Sequence, residues 1–357
     1  LCSLSQNFEQ LLASRFISSL GVVIAVSTAT AIVTGAFSAK ERGKALGIIG
    51  AAAYMGLLSG SIIAGVLIDT LGWRSLFYMR LPFAIIDMVL AFLLLRADAP
   101  REYKGRFDIA GAALLFMAVP SLIFVLNRGQ LLGWNSSSMI ILTIVGLVLL
   151  WFFIKVERKA AQPILELKLF SNRFFSFVSG GHVLLFISTT TVNFTVPFFL
   201  IQSLSLPTTE AGLLLITVPA VSMVISPLSG RLSDRWGTRL LCVTGLSLIA
   251  LGMLLLRSFT INTSVPEIIR VFAITGVGMG LFVTPNTSAI MGAISREKLG
   301  SAAAMVNLFR QLGMSIGLAI AGSLFSSSSL SYSTELLSQG VMEEIARKLS
   351  VIQGMQD

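Results

Sequence analysis

Apolar residues in this chain come in blocks of about twenty, separated by short polar segments. The blocks fall at Leu11–Phe37, Leu46–Ile68, Leu76–Leu95, Ile109–Leu126, Met139–Val156, Phe174–Ile201, Ala211–Leu228, Leu240–Leu256, Ile268–Ile290 and Ala302–Phe325. About twenty apolar residues wound as a helix cross a hydrocarbon layer of roughly 30 Å. The period-two alternation of a half-buried strand is absent throughout. A helix also satisfies its own backbone in lipid, where an open sheet edge cannot. The pattern therefore predicts an all-α polytopic membrane protein with ten spans.

Composition agrees: of 357 residues, 55% are hydrophobic and 12% charged, and the mean hydropathy is +0.86. Soluble domains carry about a quarter charged residues. The formal net charge of +9 would suit nucleic acid or acidic lipid, so its placement decides. Every second loop is basic: Lys40, Arg42 and Lys44; Arg96, Arg101, Lys104 and Arg106; Lys155, Arg158, Lys159, Lys168 and Arg173; Arg231, Arg235 and Arg239; Arg296 and Lys298. The intervening short loops hold only Arg74, Arg128 and Arg257. Such alternation places the basic loops in the cytoplasm and runs the first span from outside to inside. Membrane topology accounts for the charge, and nucleic-acid binding is not needed. Cys2 and Cys242 cannot make a disulfide framework. The chain starts at Leu1, and Leu1–Leu4 reads like the tail of an earlier span, so a fragment is expected.

An internal repeat is present. "RFISSLGVVIAV" from Arg15 aligns with "RVFAITGVGMGL" from Arg270, matching Arg15 to Arg270 and Gly21 to Gly276. Two residues further in offset, Gly56 matches Gly313, Gly60 matches Gly317, and Gly65 matches Gly322. The first two spans thus recur as the last two, both running outside to inside and back, which makes a parallel repeat. The offset leaves room for two additional spans between the halves.

On these features the chain resembles the major facilitator superfamily, and within it the fourteen-span branch of drug:proton antiporters, built as six spans, two extra and six. The resemblance implies that the ten spans are the fourth to the thirteenth. It divides the chain into the remainder of an N-terminal bundle (1–95), two inserted spans with cytoplasmic linkers (96–173) and a C-terminal bundle (174–357). "FDIAGAALLF" and "VERKAAQPILELKLFSNRFF" resemble the segments that border the extra spans of that branch.

"GRLSDRWGTR", Gly230 to Arg239, resembles the family's cytoplasmic loop motif. Asp234 is expected to cap the helix starting near Gly237, with Gly230 and Gly237 permitting close approach and a tight turn. Arg231, Arg235 and Arg239 supply anchors and partners for carboxylates on a neighbouring helix. The segment reads either as a salt-bridged latch for alternating access or as an ordinary positive-inside turn. "GLLSGSIIAG" resembles the antiporter motif, with Ser61 and Ala64 departing from it. Its Gly56, Gly60 and Gly65 would form a close-packing stripe, and the resemblance adds that the stripe seals the interface between halves and favours export.

Intramembrane charges are candidates for coupling. Arg15 resembles the family's fourth-span arginine, followed here by Ser18 and Ser19, and reads either as a proton-relay group or as a structural arginine. Arg270, its repeat mate, leans toward structure. Asn307, Arg310 and Gln311 share one helix face and fit an interdomain hydrogen-bond network or a substrate-facing patch. Asp87 reads as a proton carrier or as a partner for Arg80. His182, Asn193 and Asn286 lie on spans that line the cavity of the family, and His182 reads as coupling or structural. There is no phosphate-binding glycine loop, metal-ligand spacing or nucleophile motif, so neither catalysis, a cofactor, a metal nor nucleotide-driven transport is expected. The resulting expectation is a proton-driven exporter of amphipathic or cationic organic compounds in the cytoplasmic membrane, with a small-molecule substrate, protons and the lipid bilayer as partners and no accessory export protein specified. An uptake symporter of the same fold and a non-transporting receptor or scaffold are the alternatives.

Overall fold

A computed structural model describes residues 1–38, 40–95, 108–160, 163–165, 167–294 and 299–338, with backbone alone at 61, 62, 65, 69, 130, 131 and 325–338. The basic residues Arg96, Arg101, Lys104, Arg106, Arg296 and Lys298 lie outside the described residues. The secondary structure is helical: α1 Phe8–Ala36, α2 Arg42–Leu71, α3 Ser75–Tyr78, α4 Arg80–Leu94, α5 Ile109–Leu132 and α6 Ser137–Glu157. There follow α7 Arg173–Phe198, α8 Thr208–Leu215, α9 Thr217–Trp236, α10 Thr238–Leu256, α11 Val265–Gly292 and α12 Leu299–Ser338. Among the described residues nine helical stretches are long and apolar enough to cross a membrane, and α2, at 30 residues, is a tenth of spanning length.

Three predicted spans are interrupted, and proline explains each. A proline at position i removes the donor for the carbonyl at i−4. α3 ends at Tyr78, four residues before Pro82, and α8 ends at Leu215, four residues before Pro219. In α7, Pro197 frees the carbonyl of Asn193, and the helix passes into a π turn at Phe199–Ser203 closed by Leu204 N–H on the Phe199 carbonyl at 3.0 Å. Gly237, at φ 81°, turns the chain between α9 and α10 in a conformation that only glycine takes without strain.

α9 is the hub. α2 packs along one side of it and α11 along another, while α10 lies along α11 and α7 along α12; α5 and α6 pair with one another, and α5 also touches α12. Small residues make this possible: Ser222, Ser226, Ser229, Gly230 and Ser233 are the buried positions of α9. Two of the hydroxyls donate to α11, Ser222 to the Gly276 carbonyl at 2.9 Å and Ser229 to that of Gly280 at 2.6 Å, while Ser233 donates to the Gly230 carbonyl within α9 at 2.7 Å. Ser226 and Thr284 share a hydrogen bond at 2.6 Å. One apolar core collects Phe199, Leu214, Ile268 and Phe272, and another Phe175, Ile290, Met305 and Phe309. Large side chains on the outer faces, such as Phe92 and Phe177, stand exposed as lipid contact requires.

Candidate functional site

The loop motif does not act as its sequence suggests. Asp234 lies inside the last turn of α9, and α10 begins at Thr238 after Gly237, with no side-chain cap. Its carboxylate instead reaches the start of α2: Oδ1 accepts from the Gly43 N–H and Oδ2 from the Lys44 N–H, both at 2.8 Å. A carboxylate at the C-terminal end of its own helix is disfavoured by that helix's dipole, but the first-turn amides and positive end of α2 offset this. The correction has a simple physical origin, since the packing of α2 along α9 brings a helix start to Asp234 that is distant in the chain. Gly43 and Gly230 permit the crossing: a Cβ on Gly43 would run into the Gly230 carbonyl, Ser233 Oγ and Asp234 Oδ1, and one on Gly230 into the Gly43 carbonyl. Gly47 continues the seam, where a Cβ would sit 2.8 Å from the Ser226 carbonyl, and Gly50 faces Ser226 Oγ. Arg231, Arg235 and Arg239 are all exposed and pair with no carboxylate among the described residues.

In the antiporter-motif stripe, a Cβ at Gly56 or Gly60 would meet nothing within 4 Å among the described residues, and no side-chain environment is described at Ser61 or Gly65. The seam between α2 and the C-terminal helices is made by Gly43, Gly47 and Gly50.

Four sequence-selected residues come together elsewhere. A cavity of about 750 Å³ lies between α1 and α12, and Arg15, Asn307, Arg310 and Gln311 line it together with Arg80. Asn307 Nδ2 donates to Ser27 Oγ on α1 at 3.1 Å, and Arg310 donates to Asn307 Oδ1 at 3.0 Å. The helix face thus bridges to α1 and borders open space at once. Arg15 sits over the Phe77 ring, 5.3 Å from its centroid. Ser18 and Ser19 also line the space, and the Ser19 hydroxyl donates to the Arg15 carbonyl at 2.8 Å. A part of the wall that the sequence did not signal comes from Ile164 and Leu165. Glu157, buried at the end of α6, tethers them by accepting the Leu165 N–H.

His182, Asn193 and Asn286 do not line that cavity. His182 and Asn286 are each 1% exposed and bond to one another, Asn286 Nδ2 to His182 Nδ1 at 2.9 Å, between α7 and α11. With the amide donating, the His182 proton is assigned to Nε2, which has no partner. Asn193 borders a separate pocket of about 30 Å³, water-sized, with Thr189 and Thr275. Asp87 and Arg80 are exposed on α4 and do not pair, because seven residues along a helix separate them by about 10 Å. Arg270 is exposed near the start of α11.

Comparison with known proteins follows the same lines. The Major Facilitator Superfamily profile matches residues 1–178 and 178–342. The riboflavin transporter RibZ of Clostridioides difficile is 29% identical over 328 residues, 92% of this chain and 71% of that protein. The multidrug resistance protein Stp of Mycobacterium tuberculosis is 29% identical over 324 residues, 90% of this chain and 60% of that protein. The multidrug transporter protein MdtP of Bacillus subtilis is 30% identical over 341 residues, 94% of this chain and 62% of that protein. The chain therefore spans 60% to 71% of the length of these relatives.

Proposed function

We propose that this chain, which belongs to the Major Facilitator Superfamily, works in proton-coupled efflux of amphipathic organic compounds by alternating access. The superfamily consists of secondary transporters and not enzymes, and the protein is a multi-pass protein of the cell membrane moving a small-molecule substrate. One observation carries the alternating-access reading: the Asp234 carboxylate at the end of α9 binds the first amides of α2, at the end that carries the basic loops. A contact made of two hydrogen bonds and four glycines can break and reform without unfolding either helix, as a rocking mechanism requires. The drug-resistance names of Stp and MdtP favour export, while the riboflavin transporter shows that the same framework takes other cargo.

Inverted vesicles containing the full-length protein test the direction. Acidifying their interior drives a fluorescent substrate inward in exchange for protons if the protein is an antiporter. Loss of substrate together with protons supports the symporter instead, and no movement under any gradient, with the protein folded, supports a receptor or scaffold.

A further inference from the structure

The two segments that border the α5–α6 pair, "FDIAGAALLF" and "VERKAAQPILELKLFSNRFF", each bring one carboxylate to the same point. Asp108 caps α5, its Oδ1 accepting the Gly111 N–H at 2.8 Å. Glu157 ends α6, is 3% exposed, and accepts the Leu165 N–H on Oε1. One oxygen of each is left over. Asp108 Oδ2 and Glu157 Oε2 are both sealed from solvent with no hydrogen-bond partner among the described residues. Both border one space over Gly111: a Cβ built there would run into Asp108 Oδ2 and lie 3.0 Å from Glu157 Oε2, so the glycine leaves open the gap that the two oxygens face.

No described cation fills that gap. On α6 and just after it, Lys155 lies over the Trp151 ring, 3.7 Å from its centroid, and Arg158 and Lys159 are exposed. Arg128 stands exposed at the far end of α5, and Lys168 and Arg173 are exposed beyond Leu165. On α12, which touches α5, Arg310 bonds Asn307. Glu166 lies outside the described residues.

Two ionised carboxylates are unstable in such a place, because each sealed oxygen forfeits its hydration and the like charges repel at short range. A single proton removes both penalties: one carboxyl becomes a donor, the other stays an acceptor, and a charge-assisted O–H···O bond forms between them. The helix dipoles decide which side carries it. The last turn of α6 disfavours a negative charge on Glu157, and the first turn of α5 favours one on Asp108. From this juxtaposition we infer that Asp108 and Glu157 form a proton-binding site where the start of α5 meets the end of α6, with the Glu157 carboxyl donating from Oε2 to Asp108 Oδ2. The proton comes from water and returns to it, and no other bond changes. Its loss leaves two like charges over Gly111, which drives the ends of α5 and α6 apart and slackens the bond by which Glu157 seats Leu165. The site stands for either direction of transport.

The test is infrared spectroscopy of the full-length protein in lipid nanodiscs, where a protonated carboxyl shows a C=O band that moves in D2O. At neutral pH Glu157→Gln is expected to remove about one carboxyl from that band, and so is Asp108→Asn, since either amide supplies the missing donor in place of the proton. The second readout is the midpoint of thermal unfolding against pH. A proton held more tightly by the folded pair than by the unfolded chain stabilises at low pH, and that stability is lost as pH rises through the titration of the pair. The midpoint of the parent should therefore fall by several degrees across that rise, whereas Glu157→Gln, which keeps its donor at every pH, should hold its midpoint and exceed the parent on the alkaline side. Asp108→Asn carries the test if Glu157→Gln does not fold. A band unchanged in the folded variants overturns the inference. So does a midpoint that stays below that of the parent on the alkaline side in both variants, as expected of an ionised pair held by a cation.

Discussion

Replacing Asp234 with asparagine should unlock the α2–α9 crossing without disturbing either helix. The carboxylate accepts two hydrogen bonds at 2.8 Å, one per oxygen, from the Gly43 and Lys44 amides. Asparagine retains one acceptor as a neutral carbonyl and turns an NH2 group toward the other N–H. Two terms are lost: a charge-assisted bond, in the range of about 1.5–3 kcal/mol, and the charge–dipole attraction at the helix start, about 0.3–1 kcal/mol. Lys44 is exposed and Gly43 is buried only under the α2–α9 crossing, so water re-solvates both amides once the contact breaks and the lower end applies. A net loss of about 2 kcal/mol shifts the ratio of closed to open forms about thirty-fold. The measurement is a distance distribution between spin labels at Lys44 and Arg235, both exposed, in full-length protein with Cys2 and Cys242 replaced by serine. The expected outcome is growth of a longer-distance population in Asp234→Asn. A distribution identical to that of the parent would refute the reasoning and leave the segment as an ordinary basic turn.

Three further outcomes are expected. Gly47→Ala should destabilise the α2–α9 seam, because its Cβ would lie 2.8 Å from the Ser226 carbonyl, whereas Gly60→Ala should leave the same spin-label distances unchanged. Asn286→Ala should strip His182 Nδ1 of its hydrogen-bond donor in a site 1% exposed, costing about 1–3 kcal/mol and lowering the midpoint of thermal unfolding by several degrees; a midpoint within error of the parent would show that the bond contributes nothing. Cysteines at Thr238 and Ser137 should react with an impermeant maleimide only from the cytoplasmic and only from the outer side respectively, and reversed labelling would invert the topology read from loop charge.

Much of the fold was legible because lipid leaves so few choices. Ten apolar blocks gave helices at ten places, since hydrocarbon admits no other way to satisfy the backbone of an isolated segment. The interruptions at Tyr78 and Leu215 were also readable, four residues before Pro82 and Pro219, although apolar length alone passes over them. The site was legible in part. Asn307, Arg310 and Gln311 share a face by their spacing, and that face does meet α1 at Ser27. What sequence could not give was the partner of each group. Asp234 resembled a cap for the helix that follows it, because spacing reports neighbours along the chain, while its real partners stand 190 and 191 residues away. Asp87 and Arg80 failed as a pair for the opposite reason: sharing a helical face over two turns is not contact. Glu157 gave no signal at all, because its role depends on the fold-back of the linker to Leu165.

The internal repeat shows the same limit within one molecule. Gly313 and Gly317 are pressed against α7: a Cβ on Gly313 would lie 2.6 Å from the Val183 carbonyl, and one on Gly317 2.9 Å from the Ile187 Cα. The Thr191 hydroxyl adds a bond to the Gly317 carbonyl at 3.2 Å. Their repeat mates Gly56 and Gly60 have equal spacing, and a Cβ on either would meet nothing within 4 Å among the described residues. A four-residue small-side-chain spacing therefore encodes that a helix can be approached closely, not that it is. α2 carries two such faces. From Gly47 to Gly56 is nine residues, about two and a half turns, so the two glycines look out on opposite sides of the helix. One side is filled by α9, whose serines and carbonyls occupy the space that side chains at Gly43, Gly47 and Gly50 would need. The family motif draws attention to the other side, but close helix contact depends on backbone touching backbone, and among the described residues of α2 that happens where Gly43 crosses Gly230.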